Sequence, residues 1–319
     1  MQRALQEYAP EQDTQLYQML AYHMGWWGDG AGAAAQGKRI RPILLLLCCA
    51  ASGDDWKKAL PAAYAVEFLH NFSLIHDDIQ DNSHFRRGRE TVWKRWGIAQ
   101  AINAGDFLFT LSHLCMVKLS ELSPEMAAQA MHLFDSAAIR LTRGQYLDLL
   151  YEAQGDVSLE DYWLMVGGKT AELLACCCET GALIAGALHD VRQNFQKFGY
   201  TLGLAFQVQD DWLGIWGDET VTGKSAESDL MTGKKTLPVL FALNRGGRFA
   251  ERWRRGGIMP SEVPHLADLL AEEGAKEYTE RKAAEMIKES VDYLELAAKD
   301  VQAKNALLEM LHLLTGRSS

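Results

Sequence analysis

Proline is absent from residue 62 to residue 123, and again from residue 125 to residue 237. A proline inside a helix removes a backbone hydrogen bond and clashes with the preceding turn, so such gaps permit long, unbroken helices. The same stretches are dominated by Ala, Leu, Glu, Gln and Lys and lack the strict alternation of half-buried strands, so an all-α fold is expected.

Charge and composition narrow the classes. The chain has 319 residues, 48% of them hydrophobic, with 32 Lys+Arg against 42 Asp+Glu, a formal net charge of −10. That is enough apolar material for a large core and too much for a disordered chain. The negative charge argues against a nucleic-acid partner, which usually demands a basic face. The longest apolar run, Ile43 to Ala51, is far short of a membrane span. Glu7, Glu11 and Asp13 stand where a signal peptide would be apolar, so a cytoplasmic protein is expected. The cysteines are Cys48, Cys49, Cys115 and the run Cys176 to Cys178. Adjacent cysteines are poor disulfide partners, and three successive helical positions cannot close on one zinc ion, so buried thiols are expected.

Along the chain, a first helix is expected over 2–24, then a mobile Gly-rich loop over 25–38. Helices are expected to start near Pro42 and Pro61, and a polar loop fills 83–91. Further helices are placed at 98–120, 124–152, 158–186 and 190–216, then a Gly-, Thr- and charge-rich loop at 216–238. Helical patterning resumes at Pro238 and again from Pro260. With no internal repeat, one large helical domain over 1–319 is expected, carrying a short C-terminal appendage from about Met259.

Two acidic clusters stand out. Asp77, Asp78 and Asp81 close an apolar helix in "LIHDDIQD". Asp77 and Asp81 are one helical turn apart and share a face. Their mutual repulsion is relieved by a divalent cation, and hard oxygen donors select Mg²⁺ or Mn²⁺ together with phosphate oxygens. The plainer alternative is a solvated helix end. Asp210 and Asp211 end a second apolar helix in "FQVQDDWLG", with Asp218 and Asp229 following. Two such ends facing each other would suit a diphosphate head with a hydrocarbon tail below. Cations flank both clusters: Lys38, Arg39 and Arg41; Arg86, Arg87 and Arg89; Lys169; Lys224, Lys234 and Lys235. Each alone reads as a solvated charge, but beside the acids they suit phosphate oxygens.

The ordered blocks "GKRIRP", "EFLHNFSLIHDDIQD", "RRGRETVW", "AINAGDFLF", "GQYLDL", "GGKTAELL", "FQVQDD", "TGKSAESDL" and "GKKTLP" closely resemble the trans-isoprenyl diphosphate synthase (polyprenyl synthetase) family. The resemblance implies an isoprenoid synthase helical bundle around a central cavity, usually a homodimer. It implies Mg²⁺-dependent condensation of isopentenyl diphosphate with an allylic diphosphate (dimethylallyl, geranyl or farnesyl). By resemblance, Asp77 and Asp81 hold two of three Mg²⁺ ions and Asp210 the third, with Asp229 nearby. Asp78 and Asp211 hold metal-bound water. Arg86, Lys169, Lys224 and Lys234 grip the allylic diphosphate, and Lys38, Arg41, His70 and Arg87 the isopentenyl diphosphate. Thr170 and Gln207 flank the reacting carbons. Loops 25–38 and 216–238 are candidate lids.

Two positions depart from the family pattern. Gln36 replaces the first glycine of GGKR, and Gly214 takes the last place of the second DDxxD. Product length should depend on Phe72 and Ser73, five and four residues before Asp77; one aromatic beside one small residue resembles twenty-carbon makers. Geranylgeranyl diphosphate is therefore the expected product, with farnesyl diphosphate the alternative. Phe68, Phe107 or a facing helix are other candidate floors for the pocket. Gly214 also motivates a non-catalytic partner subunit as a rival. A class I terpene cyclase is disfavoured by "GKRIRP" and His70. A His/Asp phosphohydrolase is disfavoured because His70 and His76 do not share a helix face.

Overall fold

Pro42 and Pro61 each fall in the first turn of a helix, where the missing N–H costs nothing. A computed structural model describes residues 1–9, 14–217 and 228–316 of the chain. Residues 1–135 with 180–187 form one compact unit, and the rest a second.

The first unit contains α1 (Gln2–Tyr8), α2 (Thr14–His23), α3 (Ala33–Gln36), α4 (Ile40–Ala51), α5 (Leu60–Gln80), α6 (Val92–Trp96) and α7 (Ile98–Val117). Its core is the seam between α5 and α7, where Val66, Phe68, Leu69 and Ile75 are buried along with Ala101, Ala104, Leu108 and Leu111. The long α5 ends at Asp77 to Asp81, so the first acidic cluster rides on the last turn of a helix fixed by its buried body.

Three expectations for this unit change. The single helix over 2–24 is two helices, α1 and α2, with residues 10–13 outside the described part. The segment 83–91 holds a hairpin pairing Phe85–Arg86 with Arg89–Glu90. Arg87 (φ 53) and Gly88 (φ 73) form its turn, both left-handed as a two-residue hairpin turn requires. Two-residue strands leave no alternation for a sequence reading to detect. The loop 25–38 includes α3 and is anchored: Arg89 donates to the carbonyls of Tyr22 (2.6 Å), Trp27 (2.8 Å) and Asp29 (2.8 Å) and lies over the Tyr22 ring.

Helix α8 (Pro124–Ala153) enters the second unit at Ser136. There follow α9 (Leu159–Val166), a π-helical turn at Gly167–Ala171, α10 (Glu172–Ile184) and α11 (His189–Trp216). After the undescribed stretch come α12 (Ser228–Met231), α13 (Leu237–Arg245), α14 (Arg248–Trp253), α15 (Val263–Glu272), α16 (Ala275–Ala297) and α17 (Val301–Thr315). A reciprocal capping box starts α9: Asp161 N donates to Ser158 Oγ (3.1 Å), and Ser158 N to Asp161 Oδ2 (3.0 Å).

The helix expected over 158–186 is thus interrupted by the π turn, at the point where backbones come together. A Cβ at Gly168 would lie 2.8 Å from the Arg140 carbonyl, and one at Gly144 would run into the Lys169 nitrogen. Only glycine at both places lets α8 touch this turn, which in turn aims Lys169 and Thr170. The segment beyond Met259 is no appendage. Leu266, Leu269, Leu270 and Ala275 share a buried cluster with Ile215, Val239 and Phe249, and α16 runs along α11. Among the described residues no helix is long and apolar enough to cross a membrane. All six cysteines are buried, as expected.

Candidate active site

In the first unit the hairpin carries Arg86 to the end of α5. Its Nε donates to Asp78 Oδ1 at 2.7 Å and its Nη2 to Asp77 Oδ2 at 3.2 Å. The two neighbouring aspartates differ. Asp78 is 1% exposed, and burial pushes its carboxyl up to about 6 although Arg86 pulls the other way. Asp77 is half-buried and Asp81 exposed at the helix end. Asp78 Oδ2 is buried with no hydrogen-bond partner.

Beside this lies a cationic group on α4, α5 and the hairpin. Arg41 Nη1 donates to His70 Nε2 at 3.1 Å, and Arg87 Nη1 to the Ala35 carbonyl at 3.1 Å. Arg87 lies directly over Gly37, where a Cβ would meet its guanidinium at 2.6 Å, which accounts for the glycine of "GKRIRP". Lys38 is exposed at the start of this segment. The structure thus brings Arg41, His70 and Arg87 together in one region of this unit. Below them Glu67, 2% exposed, accepts from Asn71 Nδ2 at 3.1 Å; burial raises its carboxyl, and Arg41, Arg87 and Arg39 oppose the rise. Glu67 was missed as a counter-charge for this group. Its signal was a carboxylate inside an apolar helix face.

Because Arg41 donates to it, His70 Nε2 is an acceptor in a neutral ring. Burial, then the charges of Arg41, Arg87 and Arg86, hold it well below the usual 6.5. The unfolded chain takes up this proton below about pH 6.5 while the folded chain does not, so the stability is whole above that pH and lost as pH falls. His70→Asn should therefore flatten the fall in unfolding free energy between pH 7 and pH 5 by up to about 2 kcal/mol. Parallel profiles in chemical denaturation would show that folded His70 is protonated instead.

In the second unit a pocket of about 50 Å³ is lined by Asp148, Lys169, Thr170, Gln207, Asp211 and Lys234, among others. It has room for a few waters, and Val157, Met165, Val166 and Leu240 also line it. Thr170 Oγ1 donates to Gln207 Oε1 (3.0 Å), and Gln207 Nε2 to Asp211 Oδ1 (3.0 Å). Asp211 Oδ2 accepts from Tyr162 OH (2.7 Å) and from Leu237 N (2.9 Å). Burial pushes the Asp211 carboxyl up to about 6 against the pull of Lys234 and these donors. Asp211, expected to hold metal-bound water, has both oxygens hydrogen-bonded to α9, α11 and the start of α13. It acts here as a brace.

Lys169 donates to Asp148 of "GQYLDL", and Lys234 stands among Asp229, Asp211, Asp148 and Asp210. Burial alone would lower the Lys234 ammonium; these carboxylates outweigh it and hold it above its ordinary range. Asp148 and Tyr162 were missed in sequence, since neither stands in an acidic cluster or a charged run. Lys224, with the rest of 218–227 in the loop over 216–238, lies outside the described residues.

The donor set suits magnesium. Among the described residues no three His, Cys, Asp or Glu side chains converge on one point. Asp77 and Asp81 at the end of α5, and Asp210 on α11 with the Asp229 carboxylate against that helix, are hard carboxylates of the kind that hold Mg²⁺ together with phosphate oxygens and water.

Phe72, the expected pocket floor, is half-buried. Its ring is 4.7 Å from His76 and 5.0 Å from Phe109, whose ring is 4.6 Å from His113. Ser73 Oγ donates to the His70 carbonyl of its own helix.

A diphosphate-handling helical protein is the class that this all-α fold and these clustered aspartates and cations define. The family model for polyprenyl synthetase matches residues 31–255. The chain is 36% identical to a (2E,6E)-farnesyl diphosphate synthase of Mycobacterium bovis, covering 99% of this chain and 90% of that one. It is 40% identical to a geranylgeranyl diphosphate synthase of Mycobacterium tuberculosis, over 86% and 79% of the two chains. The crystal structure of a geranylgeranyl pyrophosphate synthetase from Pyrococcus horikoshii is similar to it with a TM-score of 0.90 at 31% identity, covering 98% and 94%. The chain belongs to the polyprenyl synthetase family of trans-isoprenyl diphosphate synthases and is a prenyltransferase.

Proposed function

We propose that this prenyltransferase condenses isopentenyl diphosphate with dimethylallyl, geranyl and farnesyl diphosphates and stops at geranylgeranyl diphosphate. The observation that carries the product assignment is the single aromatic Phe72, braced by Phe109, beside the small Ser73. One braced ring on α5 gives a floor deeper than two adjacent rings would.

On this reading Asp77 and Asp81, with Asp210 and Asp229, hold three Mg²⁺ ions. When bound, they supply charge neutralisation for the departing diphosphate. Arg86, Lys169, Lys224 and Lys234 hold the same leaving group, and Lys38, Arg41, His70 and Arg87 hold isopentenyl diphosphate beside it. Gln207 is held with its amide nitrogen on Asp211, which leaves its carbonyl toward Thr170. These oxygens then face the positive charge as the allylic C–O bond ionises. The isopentenyl double bond attacks that cation, and a proton passes to the released diphosphate. Water must be kept from the cation, which it would quench. The chain acts as one polyprenyl synthetase domain in the cytoplasm.

The test is elongation by the purified protein with Mg²⁺, labelled isopentenyl diphosphate and each primer, with products separated by chromatography. Twenty-carbon product is expected; fifteen-carbon product would make it a farnesyl diphosphate synthase, and no product with any primer would end the reading. Phe72→Ala should shift the product to chains at least one isoprene unit longer. An unchanged profile moves the floor to another side chain.

We also propose a homodimer. Helix α7 leaves Ile98, Ile102 and Phe109 exposed, large apolar side chains that a second copy would cover. Sedimentation showing only monomer at micromolar concentration would exclude it.

A further inference from the structure

Gly214 stands one turn after Asp210 on α11, where the usual second motif carries another aspartate. The space its side chain would need is taken. A Cβ built on Gly214 falls inside contact distance of Asp229 Oδ2 and 3.1 Å from Asp229 Cγ. The Asp229 carboxylate therefore lies against the bare backbone of α11, on the face that Asp210 shares. Its own backbone is tied down there: Lys234 N donates to the Asp229 carbonyl at 3.0 Å, and Thr232 Oγ1 at 3.3 Å.

We propose that Gly214 is a positioning residue that seats Asp229 in the place of the missing motif carboxylate. Asp210 from α11 and Asp229 from α12 then form the second-site pair that Asp77 and Asp81 form within α5. The second motif thus has one acid fewer than usual, and the carboxylate of Asp229 occupies the space beside α11 that a side chain at 214 would need. Glycine is required because any Cβ would displace the Asp229 carboxylate, and an aspartate would add a like charge in contact with it. This rests on the reading of Asp210 and Asp229 as ligands for a metal–diphosphate group.

The test uses the full-length protein with Mn²⁺ and inorganic pyrophosphate, metal affinity being read by calorimetry and elongation measured separately. Gly214→Ala and Asp229→Ala should each weaken Mn²⁺ binding about tenfold. Gly214→Asp, although it completes the motif, should weaken it as well. Combined with Asp229→Ala, Gly214→Asp should recover most of the lost affinity. In that double variant the close contact with the Asp229 carboxylate is gone and the Cβ of residue 229 is 3.8 Å from the new Cβ, an ordinary van der Waals distance, so the test does not depend on Gly214→Ala folding. A Gly214→Asp protein that binds Mn²⁺ as tightly as the wild type overturns the proposal. So does a double variant no tighter than Asp229→Ala alone, or a wild type that binds no Mn²⁺. Wild type that binds Mn²⁺ yet elongates no primer sinks the synthase reading and leaves the seat standing.

Discussion

Replacing Lys234 with methionine should cost about 3 kcal/mol of stability and lower kcat/KM about 10³-fold. Methionine keeps the length and apolar stem of the side chain, so what is lost is the charge. Lys234 is the cation that Asp229, Asp211, Asp148 and Asp210 all hold above its ordinary range. Asp211 is 2% exposed, and its oxygens are already committed to Gln207, Tyr162 and Leu237 N. It cannot turn to water for compensation. Removing one partner of a half-buried charge group leaves the others desolvated and repelling, which is worse than never having built the group. Lys234→Arg keeps the charge and separates the two effects: stability should return while the point-charge geometry at the diphosphate does not. Denaturation in urea reads the first effect and initial elongation rates the second. A methionine variant as stable as the wild type would mean that the four carboxylates are screened by solvent rather than by Lys234.

The contrast between residues legible in sequence and those that were not has a physical basis. Long helices were legible because proline and glycine punctuate them: α5, α7, α8 and α11 fall within a few residues of the expected limits. The acidic clusters were legible because carboxylates at one-turn spacing on an apolar helix need an explanation. Asp148 and Tyr162 were not, because their roles depend on side chains 21 and 49 positions away meeting in space. The π turn at Gly167–Ala171 was missed because its cause, the contact between Gly144 and Gly168, is likewise non-local. The appendage expected after Met259 failed for a related reason. Leu266, Leu269 and Leu270 form an apolar face whose partner, the end of α11, lies far back in the chain. Asp211 shows the limit of reading a motif as a unit. Asp210 and Asp211 are adjacent, yet helical geometry turns them about 100° apart: Asp211 is buried with both oxygens hydrogen-bonded, while Asp210 is half-buried.

The same geometry separates Asp77 from Asp78, and their asparagine variants should behave oppositely. Asp77→Asn should lower kcat about 10³-fold with little change in melting temperature. Asp77 is half-buried, and its contact with Arg86 is the longer one at 3.2 Å. Its neutral amide keeps the shape, and Arg86 retains Asp78 at 2.7 Å. On the proposed function, what goes is one hard anionic donor beside the departing diphosphate. Asp78 is the reverse case. Burial holds its carboxyl up to about 6, so at pH 7 the folded protein keeps a charge that the fold disfavours. A carboxyl whose folded value is raised costs stability in full above that value, and the cost is relieved progressively as pH falls from it toward the unfolded value of about 3.9. Asp78→Asn should therefore leave the melting temperature at pH 7 unchanged or higher, and remove its gain on moving from pH 7 to pH 5. Activity loss in Asp78→Asn should be smaller than in Asp77→Asn, since Asp78 acts through Arg86 and its own buried Oδ2. Equal losses from the two variants, each with a wild-type melting curve, would show that the two carboxylates share one role and that the asymmetry of burial has no part in catalysis.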